Sequence, residues 1–319
     1  MAERPVPGLH VVDLGAVKPA ELEDLWEQEV RVWRDRLLWD ISGPLASLRH
    51  IIARGGLPGK AVRVGAQTVG YAYYVVAGHL GVLSGLVVSP AWSTTRVGGT
   101  LLKETIEEIR RKGVPRIESQ FVSPDCPWLI SSFEHEGFRS YWREFLRLDL
   151  HRDRGPASPP AIVDLQPWRG TRLREAAAIM HAAYEGEVDT EINECYRTAD
   201  GCRLVLEDLL NQCGCGMPVL EASAMACDRG RGIGFVVVTE TAPRQGHIAQ
   251  VAVLPQYQRR GVGRFLLSYS VSRLAALHFD TLSLIVSRSN PRALRMYQAM
   301  GFQSVLSFPV FAWEGEGKW

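Results

Sequence analysis

The stretch PQYQRRGVGRFL, Pro255–Leu266, decides how the chain is read. Before it runs the apolar segment HIAQVAVL, His247–Leu254; after it, Phe265, Leu266, Tyr269, Leu274 and Leu277 recur at mostly three- and four-residue steps. A strand, a glycine turn and a helix in that order bring the free N–H groups of a helix start to face an anion. Glycines at 261 and 263 remove side chains that would block such an approach. The dinucleotide fingerprint Gly-x-Gly-x-x-Gly is not completed, because Leu266 stands where its third glycine belongs. Taken alone, the turn fits a phosphate cradle or a plain flexible loop.

Composition narrows the choice. At 319 residues the chain suggests two domains of about 150 residues each. Lys+Arg 36 against Asp+Glu 35 leaves a net charge of +1, so no global field recruits nucleic acid or anionic lipid. A small-molecule or peptide partner is expected, with no nucleic acid and no membrane. The opening MAERPVPGLHVVDLG lacks a basic region followed by an apolar run, so no secretory leader is expected. Six cysteines are scattered, and Cys213 and Cys215 are too close for a CxxC site. No metal is therefore expected, and a reducing, cytoplasmic setting fits. Residues 66–95 carry no formal charge and are long enough to cross a bilayer. Gly70, Gly78, Gly81, Gly85 and His79, among closely spaced Val and Tyr, predict instead two buried strands joined at Gly78-His79.

An internal repeat organises the rest. GLVVSPAW, Gly85–Trp92, aligns with QVAVLPQY, Gln250–Tyr257, at an offset of 165. TLL ending at Leu102 meets FLL ending at Leu267 at the same offset. EGF ending at Phe138 meets MGF ending at Phe302, and VGYAYYVV from Val69 meets IGFVVVTE from Ile233, both at 164. Drift of one residue over four matches indicates a duplication. The second half predicts strands over 161–166, 219–227, 232–240, 247–255, 281–286 and 308–313, with helices over 172–184, 197–211, from about 261, and over 291–300. HRDRGPASPPA, His151–Ala161, is the expected linker, giving domains 1–150 and 162–319.

Within this frame, VAVLPQYQRRGVGRFLL followed by NPRALRMYQAMGF resembles the acetyl-CoA-binding core of the GCN5-related N-acetyltransferase (GNAT) family. The family signature Gln/Arg-x-x-Gly-x-Gly/Ala is complete at Gln258, Arg259, Arg260, Gly261, Val262 and Gly263, and the downstream pattern falls on Asn290, Ala293, Tyr297 and Gly301-Phe302. The resemblance implies two tandem GNAT-like α/β (α+β) domains, each a mixed, mostly antiparallel sheet flanked by helices. It also implies acetyl-CoA as cosubstrate and direct transfer of acetyl to an amine. Pantetheine would lie on Val251, Ala252 and Val253, pyrophosphate on Gln258–Arg264, and Asn290 near the pantetheine arm. Tyr297 would protonate the departing thiolate. A thiol near pKa 8.5 and a phenol near 10 make that proton transfer feasible at neutral pH. Tyr297 is alternatively a core-packing ring, and Asn290 an N-cap for the helix starting at Pro291.

Relatives commonly carry a glutamate base on the pantetheine strand; here no acid lies between His247 and Leu254, and the positions hold His247 and Gln250. The acidic loop YEGEVDTEINECYR, with Glu187, Asp189 and Glu191, is either an acceptor-lining segment or a solvated loop, and Tyr184, Tyr196 and Arg197 flank it. In the first half the signature positions read Ser93, Thr94, Thr95, Arg96, Val97 and Gly98, Asn290 becomes Cys126, and Tyr297 becomes Phe133. These losses predict a fold-preserving, non-catalytic first domain. Because the repeat tolerates Arg96, Gly261→Arg is expected to leave the domain folded while abolishing cofactor binding. A non-catalytic acyl-CoA-binding or sensing module is the alternative function, and the oligomeric expectation is a monomer or homodimer.

Overall fold

The computed structural model describes residues 6–122, 126–151, 163–211 and 215–315. Two compact units emerge: Met1–Trp142 with Phe308–Trp319, and Arg143–Ser307. Most of the expected linker, and Cys213, lie outside the described residues.

The first unit runs β1 (Leu9–Asp13), α1 (Glu23–Leu37), α2 (Ser42–Ala53), β2 (Gly59–Val64), β3 (Gln67–Ala77), β4 (Leu80–Val88), α3 (Thr95–Arg111), β5 (Arg116–Ser119), α4 (Pro127–His135) and the start of β6 (Arg139–Asp149). The uncharged stretch forms β3 and β4, joined at Gly78, whose φ of 60° suits a tight reversal. The second unit takes the rest of β6, then β7 (Asp164–Pro167), α5 (Leu173–Tyr184), α6 (Asp189–Ile192), α7 (Ala199–Leu210), β8 (Met217–Pro218), β9 (Ala224–Asp228), β10 (Arg231–Ala242), β11 (Gln245–Val253), α8 (Val262–Ala276), β12 (Thr281–Ser287), α9 (Pro291–Ala299) and the start of β13 (Gln303–Glu314).

Strand order is β1-β2-β3-β4-β5-β13 in the first unit and β6-β12-β11-β10-β9-β7 in the second. Each unit thus takes its closing strand from the other half of the sequence. Phe145, Leu146 and Leu148 of β6 are buried in the second unit, and Phe311 of β13 stacks on Phe133 in the first, ring centroids 3.8 Å apart. Arg116 bridges Glu118 and Glu314 beside it. The division therefore differs at the closing strands from boundaries drawn at residues 150 and 162.

Both sheets are antiparallel apart from one pair, β4 with β5 and β11 with β12. In the second unit, Val236, Val238 and Ile248 pack with α8 and α9 on one face, while Phe235, Val237 and Ala252 pack with α5 and α7 on the other. Period-two alternation buries both faces of the sheet. The strand expected from residue 219 starts later, at Ala224. Ser223 donates to the Val219 carbonyl and accepts from Val238 N–H, both at 2.9 Å, so a side chain replaces the ladder there.

Candidate functional site

The site begins where the only parallel pair of the second unit's main sheet comes apart. β11 and β12 pair from Gln245↔Thr281 to Ile248↔Leu284; both strands then continue, but the ladder stops. The cause lies in β11, where Val237 faces Gln250 and Val238 faces Ile248, leaving Ala249 as a bulge. A bulge bends its strand and re-aims the neighbouring side chains.

Beyond it, Leu254 N–H bonds Ile233 O at 2.9 Å, and Phe235 faces Ala252. Antiparallel strands alternate the edge to which their polar groups point. Ala252 therefore spends its N–H and C=O on β10, while those of Val251 and Val253 face the opening. Two of these groups are occupied: Gln258 Nε2 donates to Val253 O at 3.1 Å, and Gln250 Oε1 accepts from Val251 N–H at 3.3 Å. Val251 C=O and Val253 N–H are left to face an extended amide-bearing ligand. Of the three expected pantetheine residues, two present backbone groups and Ala252 serves the core.

At the end of this opening stands the N-terminus of α8. Gly261 is its N-cap at φ 83°, in the left-handed region, with no side-chain cap and no acid in the first turn. Gln258, Arg259, Arg260, Gly261 and Arg264 are exposed, whereas Val262 is buried. None of the three arginines is ion-paired to a described carboxylate; Arg260 lies over the Tyr257 ring at 5.6 Å, whose hydroxyl donates to Asp228 Oδ2 at 2.9 Å. Open amides and unpaired guanidinium groups together suit a phosphorylated ligand.

The two glycines differ in what demands them. Gly261 is required by its own backbone, since an L side chain at positive φ costs about 1–2 kcal/mol. Gly263 has ordinary conformation, and a Cβ there would meet only Val253 Cγ2 at 3.7 Å and Met296 Sδ at 3.9 Å, normal contacts. Nothing in the chain forbids a side chain at 263. In the first unit α3 begins two residues earlier in the aligned frame, at Thr95, so Arg96 lies inside a helix. Thr94 caps that helix by accepting from Val97 N–H at 3.3 Å, occupying the amide equivalent to that of Val262. Gly98 serves packing, because a Cβ there would enter the Trp128 ring. The premise of the Gly261→Arg expectation changes accordingly: Arg96 is tolerated by a different local backbone, and an arginine at 261 would have to adopt the left-handed conformation that Arg259 already holds in this turn.

Asn290 caps α9 by accepting from Ala293 N–H at 3.0 Å. Tyr297 on that helix is buried, edge-on to Phe302, and its hydroxyl makes no hydrogen bond to a described residue. Burial, with the charge of Asp189 adding to it, holds the phenol well above its usual pKa.

Around it, the structure gathers residues from six elements. Asp189 is buried, its Oδ1 accepting from Arg143 Nη2 at 3.1 Å and Ser287 Oγ at 3.0 Å. Tyr184 stacks on Tyr196 with centroids 4.6 Å apart and donates to Gln250 Oε1 at 2.9 Å. Burial raises both phenols, Tyr196 to about 12. From the acidic loop only Asp189 turns inward; Glu187 and Glu191 are exposed. His247 sits in the paired part of the sheet, Nδ1 2.9 Å from Ser283 Oγ, and burial lowers its pKa to about 3. It is a neutral core group, not a base. Arg143 and Ser287 escaped the sequence reading. Arg143 comes from the closing strand of the first half, where no local pattern marks it.

The GNAT acetyltransferase family model matches residues 173–302, which span the bulge, the turn and α9. Residues 173–302 thus form a GNAT-family domain. It is 26% identical over 276 residues to a mycothiol acetyltransferase of Propionibacterium freudenreichii, covering 85% of this chain and 78% of that protein. A second mycothiol acetyltransferase, from Tsukamurella paurometabola, is 40% identical over 75 residues, 23% of this chain and 26% of its own length. That match spans about a quarter of the relative. Among solved structures, a GNAT protein from Sphaerobacter thermophilus superposes with a TM-score of 0.71 at 14% identity, covering 96% and 95% of the two chains. A tandem GNAT protein from the clavulanic acid biosynthesis pathway gives 0.59 at 14%, covering 97% and 99%. Both similarities concern the fold.

Proposed function

We propose that the second unit transfers acetyl from acetyl-CoA to an amine of a small molecule or peptide, by direct attack and without an acyl-enzyme. The observation that carries this reading is the coincidence, in one unit, of the parted strands β11 and β12, the uncapped start of α8 and the unbonded Tyr297 hydroxyl. Val251 and Val253 hold the pantetheine amides, and Gln258–Arg264 hold the pyrophosphate. Asn290 orients the pantetheine arm while capping α9. The amine nitrogen attacks the thioester carbonyl and the C–S bond breaks. Tyr297 donates its proton to the leaving sulfur, and the amine proton leaves through water, since β11 carries no acid. Burial and the nearby Asp189 charge raise the phenol pKa, which keeps Tyr297 in its protonated form at neutral pH. The cleft of Gln250, Tyr184, Tyr196 and Asp189 receives the acceptor; Asp189 acts there as part of an ion pair with Arg143 rather than as a free charge. Glu187 and Glu191 serve at most at its mouth.

The first unit is non-catalytic in this reading, because Thr94 fills its cradle and Phe133 has no proton. Five described cysteines, all free, fit the reducing cytoplasm proposed as its location. No described helix is long and apolar enough to cross a membrane. Calorimetry with acetyl-CoA, followed by thiol release across an amine panel, tests the proposal. Binding without release on any amine would favour the non-catalytic acyl-CoA module, and absence of binding would end both readings.

A further inference from the structure

The first unit has lost the phosphate cradle but has rebuilt the region equivalent to the acceptor cleft. At the offset of 165, Gly85 on β4 takes the place of Gln250. The Tyr73 ring lies directly on it, so that any side chain at Gly85 would displace the ring. Tyr73 is stacked on Tyr71, with centroids 6.3 Å apart and planes 11° apart. Tyr71 in turn donates to Glu29 Oε2 on α1 at 3.0 Å. Trp33, one turn further along α1, shares the helix face of Glu29 and packs against Trp39 at 5.4 Å. Glu29, Trp33 and Tyr73 are half-buried and Tyr71 fully buried, so Glu29 lies among aromatic residues of which all but Tyr71 keep part of their surface exposed.

Several semi-buried carboxylates of this unit have a cation: Glu21 has Arg63 and Glu108 has Lys60, both at 2.7 Å, and Glu136 has Arg110 at 2.9 Å. Glu29 has none among the described residues. Burial accordingly pushes its carboxyl up to about 7, and burial with the Glu29 charge adding pushes Tyr73 to about 12. A carboxylate withdrawn from water without a counter-ion is unfavourable until something positive joins it.

We propose that the first unit binds a protonated alkylamine, with Glu29 as counter-charge and the faces of Trp33 and Tyr73 against the ammonium and its first carbons. Carboxylate and aromatic faces both attract a cation and do little for a neutral isostere. The Thr94 cap occupies one of the helix-start amides that an acyl-CoA pyrophosphate would use in this unit. The site is independent of the transferase reading, for it uses no residue of the second unit.

Saturation-transfer NMR on the full chain tests it, with butylammonium, a lysine-containing peptide and n-butanol as probes. Both amines are expected to bind saturably if the ligand is any accessible ammonium; binding of butylammonium alone restricts the site to small amines. Glu29→Gln should weaken either amine tenfold or more, while Tyr297→Phe leaves it unchanged. Thermal unfolding monitors each variant. Should Glu29→Gln fail to fold, Trp33→Leu, which keeps the carboxylate and fills the apolar volume, is expected to weaken binding severalfold. The proposal is overturned if no amine binds, if n-butanol binds as well as butylammonium, or if the folded Glu29→Gln or Trp33→Leu variant binds like the wild type.

Discussion

Tyr297 and Phe133 stand 164 residues apart at equivalent points of the two units, each edge-on to the phenylalanine five positions later. Tyr297 meets Phe302 at 5.8 Å and 62°, and Phe133 meets Phe138 at 5.0 Å and 74°. One hydroxyl separates the two arrangements, and in the second unit that hydroxyl is not spent on any described partner.

Tyr297→Phe should therefore fold normally, with stability within about 1 kcal/mol of wild type, since no hydrogen bond is removed. Acetyl-CoA affinity is expected to be unchanged, while kcat falls by about a hundredfold or more, the usual worth of a positioned acid. Parallel calorimetry and thiol-release assays check this; undiminished turnover would remove the acid role.

Gly263 and Gly98 are aligned glycines kept for different reasons. Gly263→Glu should be within about 1 kcal/mol of wild-type stability, because glutamate favours a helix over glycine, yet bind acetyl-CoA at least tenfold more weakly, whereas alanine, which the signature admits at this position, should bind as glycine does. Gly98→Ala must displace the Trp128 ring and should cost roughly 1–3 kcal/mol with no change in affinity. Chemical denaturation beside calorimetry separates the two, and equal affinity loss in both would refute the assignment.

Asn290 has a demonstrable cap and a proposed ligand contact. Asn290→Ala should cost about 1 kcal/mol, the typical worth of an N-cap, and weaken acetyl-CoA binding. Asn290→Ser keeps a capping oxygen and should restore stability but not affinity. Full recovery of both would reduce Asn290 to a cap.

His247 fixes the direction of the acid response. Its folded pKa of about 3 lies below its ordinary value of 6.5, so below pH 6.5 the unfolded chain binds a proton that the folded chain refuses. This contribution is steady above pH 6.5 and falls by up to about 1.4 kcal/mol per pH unit toward pH 3. Denaturation curves from pH 7 to pH 4 should show that decline, and His247→Gln should flatten it.

The strand-turn-helix at residues 247–276 was legible because short-range signals coincide there: β-branched alternation, a glycine with positive φ, and a helix start without a cap. Asn290 and Tyr297 were legible as chemistry, though not the absence of a bond at the tyrosine hydroxyl. The bulge at Ala249 left no mark, since it is set by how β10 and β11 pair rather than by residue type. The acidic loop was misleading in bulk: one carboxylate of the three proposed turns inward, selected by Arg143 more than a hundred positions from Ser287, its other donor on Asp189. The closing strand of the second half, 308–313, was predicted as a strand, but its partner was not predictable. That choice is made by side-chain contacts such as Phe133 with Phe311, which no local window contains.

That exchange sets the timetable of synthesis. The unit whose sequence emerges first from the ribosome waits longest for completion, since β5 has no partner on one side until residues 311–314 arrive. In the interval the nascent chain presents an open, hydrogen-bond-hungry edge, a state prone to mispairing. The second unit, by contrast, already holds its borrowed strand when its own β12 appears, so maturation runs against the order of translation. Cutting the gene at the linker would give two polypeptides, each lacking the last strand of its own sheet and carrying one made for the other.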